Sequence, residues 1–272
     1  MDGLSARSDL NGRSANDILE DSELERLILN ADMRTSVIAG YKFESTLYDI
    51  FYRINSGSVP LSTQELRQSL YPGEFAKFLI NETNRRLVLH DVLLLPEEEA
   101  SDDRFRDVEL LLRYYSFIHR YSEYRGNLKD FLDSSLHTFN ESWLTMEATY
   151  KSDFSTFLKS CQRLTKILGA PQRIGRRVLQ NDRWERRFNK SLFDVEVYCF
   201  SFVPDANITK IKSEKFIKGL RLLLEDIEFN KSIESTTKSL ENYDIRFIKF
   251  SKLVNESFGT SISIQRLLDV SR

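Results

Sequence analysis

Apolar residues recur along most of the chain at intervals of three and four. Phe105, Val108, Leu112, Tyr115 and Ile118 form one such stripe, Phe154, Leu158, Cys161, Leu164 and Leu168 a second, and Leu240, Tyr243, Phe247, Phe250 and Val254 a third. At 100° per residue each stripe places large side chains on one side of a helix, which predicts long amphipathic helices around a shared core. Upstream, residues 15–29 (ANDILEDSELERLIL) predict a short acidic helix, and Phe43, Leu47, Ile50 and Ile54 mark the face of another. The β-branched run MRTSVIA at 33–39 predicts a strand, and one strand cannot make a sheet. The expected fold class is therefore mainly α: a helical bundle with a small residual β element near the N-terminus.

The breaks between these stretches carry their own signals. The five prolines, at 60, 72, 96, 171 and 204, fall between periodic segments and punctuate helices. Asn55-Ser56-Gly57-Ser58-Val59-Pro60 ends one pattern. Ser62-Thr63-Gln64-Glu65 has the spacing of a capping box and predicts a new helix start. The acidic stretch PEEEASDD at 96–103 reads as a solvated linker, dividing the chain into residues 1–95 and 96–272.

Composition narrows the chemistry. Only 10 of 272 residues are Gly and 5 are Pro, too few for the many tight turns of a sandwich, a barrel or a phosphate-binding α/β fold. Basic and acidic residues number 39 and 41, so any nucleic-acid or membrane role must come from a local patch. Cys161 and Cys199 lie in apolar helical patterns, as buried thiols of a cytoplasmic protein do. Apolar runs such as Val92–Leu95 and Val197–Phe200 are far shorter than the roughly 20 residues of a membrane span, and no secretory leader is visible. His90, His119 and His137 lack metal-ligand spacing, glycines do not form a nucleotide cradle, and Glu97-Glu98-Glu99 and Asp102-Asp103 are contiguous loop charges. No catalytic residue, metal ligand or cofactor is expected.

One basic run stands apart. Arg173, Arg176, Arg177, Arg183, Arg186, Arg187 and Lys190 fall within 18 residues that hold only Asp182 and Glu185 as acids. On a continuous helix, Arg183, Arg186, Arg187 and Lys190 share a side opposite Trp184, Phe188, Leu192, Val195 and Cys199. Two readings stand: a ridge that holds nucleic-acid phosphates without reading sequence, or an ordinary solvated face.

The segment Ile50–Leu79, IFYRINSGSVPLSTQELRQSLYPGEFAKFL, resembles the domain at the amino end of GmrSD-type modification-dependent restriction enzymes and related anti-phage proteins. The matching positions are Phe51, Arg53-Ile54-Asn55, Gly57, Leu61, Gln64-Glu65 and Arg67. A looser likeness takes in Ser8–Gly12, Arg106–Phe117 and Arg186–Val195. The resemblance implies a ParB/sulfiredoxin-like nucleotide-hydrolysing unit followed by a helical region, with residues 1–95 as a remnant of the former and 96–272 as the latter. The family's Asp-Gly-Gln-Gln-Arg box is missing, since Asp2-Gly3 is followed by Leu4-Ser5, and so is its HNH-type nuclease module. The chain then looks like the carboxyl-terminal part of such a protein, not expected to hydrolyse nucleotide or cut DNA alone.

Two functions compete on this basis. The first is a non-catalytic helical fragment or split subunit of a GmrSD-like protein, whose loop residues Arg53, Asn55, Gly57, Gln64, Glu65 and Arg67 face a nucleotide or a partner chain carrying the box. The second is a stand-alone DNA- or RNA-binding protein that uses the basic residues between 173 and 190. A well-capped corner between two helices remains the structural alternative for the loop.

Overall fold

A computed structural model describes residues 8–32, 61–97, 101–179, 183–234 and 239–264, with isolated positions between 35 and 50. It is mainly α, with twelve α-helices among the described residues. The described members of the 33–39 stretch, Thr35, Val37 and Ala39, form no strand. The other residues of that stretch, and most of the helix expected from Phe43 to Ile54, lie outside the described residues. The only regular β pairing described is one antiparallel bridge, Val178 with Trp184.

The chain divides into two compact units, Met1–Leu47 and Tyr48–Arg272. In the first, the acidic stretch forms two helices instead of one: α1 (Ala15–Leu19) and α2 (Ser22–Leu29). Ser14 and Asp17 close a capping box on α1, and the Asp21 carboxylate caps α2 through the Glu23 and Leu24 amides. Asp21 therefore restarts the helix where the periodicity alone ran on.

The second unit opens with α3 (Thr63–Leu70), whose start is where the capping-box spacing put it. The Ser62 amide donates to Glu65 Oε2 at 2.5 Å, and the Glu65 amide donates to Ser62 Oγ at 3.1 Å. There follow α4 (Glu74–Thr83), α5 (Val88–Val92), α6 (Arg106–Arg120), α7 (Leu128–Glu141), α8 (Trp143–Leu168), α9 (Lys190–Phe200), α10 (Lys210–Glu225), α11 (Ile227–Glu234) and α12 (Leu240–Phe258). The division expected at 95/96 does not coincide with the observed one: α4 packs on α6 and α7, and α5 on α8, in one core. Nor is the acidic stretch wholly solvated, because Asp102 is buried, accepting from the Arg104 amide and from Arg106 Nε.

Two helices occupy the centre. Every residue from Ser191 to Phe200 of α9 is buried, and α6 is buried from Leu110 to Phe117. These helices are buried on most sides, the position of an element with neighbours on each side, and their buried polar residues must find partners there. At one end Phe75, Tyr115, Phe139 and Tyr150 interlock, the Phe75 ring centroid lying 4.9–5.1 Å from the other three. At the other, Phe200, Phe216 and Phe258 do the same between α9, α10 and α12. The three predicted stripes supply much of this core. Leu158 is half-buried, however, and Leu240 is exposed at the start of α12.

Replacing Phe75 by Ala removes the hub of the first cluster. The expected cost is about 3–5 kcal/mol in a denaturant titration, whereas Leu144→Ala, at a side chain 92% exposed, is expected to stay within about 0.5 kcal/mol.

Candidate functional site

The described half of the motif segment is built inward. Arg67 is buried, with Nε donating to Asp133 Oδ1 of α7 at 2.6 Å and Nη1 donating to Gln64 Oε1 at 2.5 Å. Lys129 Nζ reaches the second oxygen of Asp133 at 3.0 Å. Glu65, besides closing the cap, lies 3.3 Å from Arg104 Nε. The side chains of Gln64, Glu65 and Arg67 thus brace α3 against its own chain. Arg53, Asn55 and Gly57 lie outside the described residues.

The basic run departs from the helical ridge expected for it. Helix α9 begins only at Lys190, capped by Asn189, whose Oδ1 accepts from the Leu192 amide. The described residues between 171 and 189 form a 3-10 turn, Pro171–Arg173, and then a bridged segment held by Leu179 N–H to Arg183 O at 2.7 Å and Glu185 N–H to Arg177 O at 2.9 Å. Trp184 and Phe188 had the right phase for a helix face because they anchor this loop on the core. Gly175 decides the geometry. Its φ is +69°, a Cβ there would meet Phe188 at 2.4 Å, its N–H donates to Glu196 Oε2 at 2.6 Å and its carbonyl accepts from the Asn189 amide.

The cations are consequently scattered in role. Arg173 caps the C-terminus of α8 through Leu168 O at 2.6 Å and lies over the Trp184 ring. Arg176 is buried and donates to the carbonyls of Val92, Gln172 and Ile174, tying α5 to the turn; burial pushes its pKa down, against the charge of Glu196. Arg177 pairs with Glu234 and lies 3.7 Å from Glu185. Lys190 is held by both oxygens of Glu109, at 2.8 and 2.9 Å. Only Arg183, Arg186 and Arg187 are exposed. Sequence phase could not foresee this partition, since the partners come from α5, α6 and α11.

Polar chemistry that periodicity missed sits between the central helices. Arg113 of α6 grips Asp194 of α9 with two donors and lies 3.5 Å from Glu109. Burial alone would lower the Arg113 pKa; the Asp194 charge and hydrogen bonds, with Glu109, raise it instead. Burial would raise the Glu109 carboxyl, and Arg113 and Lys190 more than offset it, so that it sits below its usual range. Arg246 of α12 is buried beside them, donating to Ser232 O at 2.9 Å.

Among the described residues no cluster of three or more His, Cys, Asp or Glu is able to hold a metal. His90 accepts from the Leu87 amide at Nδ1, so in its neutral form its proton lies on Nε2, 3.1 Å from Asp107. His119 Nε2 lies 2.8 Å from Asp153 among the rings of Tyr115 and Tyr150. The first pair is buried in the core and the second half-buried at its edge, and neither has a nucleophile beside it in the described hydrogen bonding. Cys161 and Cys199 are buried free thiols whose pKa values burial pushes up.

Neither a family model, nor a curated protein, nor a solved structure matches the chain. No helix among the described residues is long and apolar enough to cross a membrane.

Glu196 is the most perturbed carboxyl. It is fully buried in α9, with Gly175 N–H and Arg176 on the loop side and Cys161 on α8, and Oε1 has no hydrogen-bond partner. Burial raises its pKa from 4.5 to about 8, against the Gly175 hydrogen bond and the Arg176 charge. The folded state therefore holds a proton that the unfolded chain has released, and Glu196 makes stability fall as pH rises from near 4.5 to about 8. The expected outcome is that Glu196→Gln removes this part of the Tm-against-pH profile and melts at higher temperature than the parent above pH 8.

Proposed function

We propose that the chain is a non-catalytic helical subunit of a GmrSD-like anti-phage or restriction protein, acting with a second polypeptide that carries the Asp-Gly-Gln-Gln-Arg box. The observation that carries the proposal is the likeness of Ile50–Leu79 to that family, together with what its described half does. The Gln64, Glu65 and Arg67 side chains are committed to the cap, to Asp133 and to Arg104. They brace the start of α3 within the second unit. In this role the chain supplies a structural mount, and the partner supplies the chemistry.

Co-expression with a box-bearing GmrSD-type chain is the test. The two polypeptides are expected to co-elute on size exclusion, and addition of this chain is expected to change the partner's nucleotide hydrolysis by about tenfold, a coupling of about 1.4 kcal/mol. Separate elution with unchanged turnover rejects the proposal.

A second reading, nucleic-acid binding by the 171–189 loop, is favoured by the exposure of Arg183, Arg186 and Arg187 on one short bridged segment. A mobility shift at low salt that disappears when all three become Glu supports it, and no shift at low salt ends it.

A further inference from the structure

Glu196 has too few partners to stay charged where it stands. It lies on α9 beneath the turn at Gly175, Oε2 accepts from the Gly175 N–H at 2.6 Å, and Oε1 has no hydrogen-bond partner. Arg176 is the cation in its field, yet the donors of that side chain are spent on backbone: Nη1 on the carbonyls of Val92, Gln172 and Ile174, and Nε on Arg186 O at 3.3 Å. The charge of Arg176 therefore reaches Glu196 without a hydrogen bond. A neutral carboxyl in this place leaves one oxygen unmatched, whereas a carboxylate leaves a buried charge with a single amide donor, which costs far more.

The same contact organises the segment above it. Gly175 donates to Glu196 and accepts from the Asn189 amide at 2.8 Å, so the turn that begins the bridged segment and the residue that ends it meet at one point. With φ at +69° and Phe188 2.4 Å from where a Cβ would stand, the position takes only glycine. Ionisable groups on the helices packed against α9 are engaged in other ways. Cys161 of α8 faces Glu196 as a buried thiol whose pKa is raised by burial and by the Glu196 charge. Glu109 and Arg113 of α6 and Arg246 of α12 belong to the network around Asp194, and Glu234 of α11 pairs with Arg177.

We propose that the contact between Gly175 and Glu196 is a proton-dependent latch: Glu196 is neutral while the bridged segment is docked on α9, and gives its proton to water when the segment lifts. Docked, the carboxyl keeps its proton up to about pH 8; lifted into solvent, it loses it near 4.5. Opening thus releases one proton. The opening equilibrium is indifferent to pH below 4.5, rises by about tenfold per pH unit from there towards 8, and levels off above. Buried Ile174 and Val178 keep the docked state the major one throughout, so the device works as local opening and not as loss of the fold. The described residues that move with the latch, 174–179 and 183–189, include the exposed Arg183, Arg186 and Arg187. Acid holds these cations against the helical body, and rising pH frees them. The latch needs no partner chain and is independent of the subunit role.

Hydrogen exchange of the purified full chain tests the latch, read by mass spectrometry from about pH 5 to 9 and corrected for the intrinsic exchange rate at each pH. Peptides covering 174–179 and 183–189 report the segment, among them the Gly175 and Asn189 amides, and peptides covering Leu110–Phe117 of α6 report opening of the whole fold. Protection in the segment is expected to fall by about tenfold per pH unit from about 5 to 8 and then to level off, while α6 stays as it was. Glu196→Gln keeps an acceptor for the Gly175 amide and cannot ionise, so its segment protection is expected to be the same at every pH. A flat segment profile in the parent overturns the proposal and needs no variant to do so. An equal fall in α6 also overturns it, by marking global unfolding, and a fall that persists in Glu196→Gln does so by assigning the proton to another group.

Discussion

The clasp between Arg113 and Asp194 is the interaction around which the second unit is organised. Helices α6 and α9 are buried on nearly every side, and water reaches neither of these charges. A guanidinium and a carboxylate in such a place are tolerable only when each satisfies the other. Because the two donors of Arg113 meet the two oxygens of Asp194, the pair fixes the register of α6 on α9 as well as their proximity. Glu109 and Lys190 extend the same network one turn outward, and Arg246 brings α12 to it. Apolar packing supplies the bulk of the stability, and the charges select one alignment of helices whose greasy surfaces would fit in several.

From that alignment the 171–189 loop takes its position. Lys190 is both the first residue of α9 and a partner of Glu109, while Glu196, two residues past Asp194, receives the Gly175 amide. The loop is thus pinned at its hairpin base by Gly175 and Asn189, on its flank by Arg176, and at its rim by Arg177 with Glu234. Most of a conspicuous basic run is spent in this way on holding the chain together. Of the run's cations, only Arg183, Arg186 and Arg187 are exposed.

The proposed subunit role rests on residues 50–79, and what the structure describes of them, Gln64, Glu65 and Arg67, braces the start of α3.

Sequence periodicity determined the fold class and most of the core, because a stripe at three- and four-residue spacing leaves a helix one face to bury. It also determined the start of α3, since Ser62 and Glu65 bond each other's backbone within four residues and need no outside help. Phase failed between 183 and 189: Trp184 and Phe188 fit a helix, yet Asn189 caps α9 and Gly175 takes a backbone angle that turns the preceding chain into a bridged loop. Which cations were available was likewise invisible, because Val92, Glu109, Asp133 and Glu234 lie 57 to 84 residues from the arginines and lysine they engage. Local rules settle what neighbours in sequence do to one another; only the tertiary structure decides which distant carboxylate or carbonyl consumes a charge, and therefore which charges remain to meet a ligand.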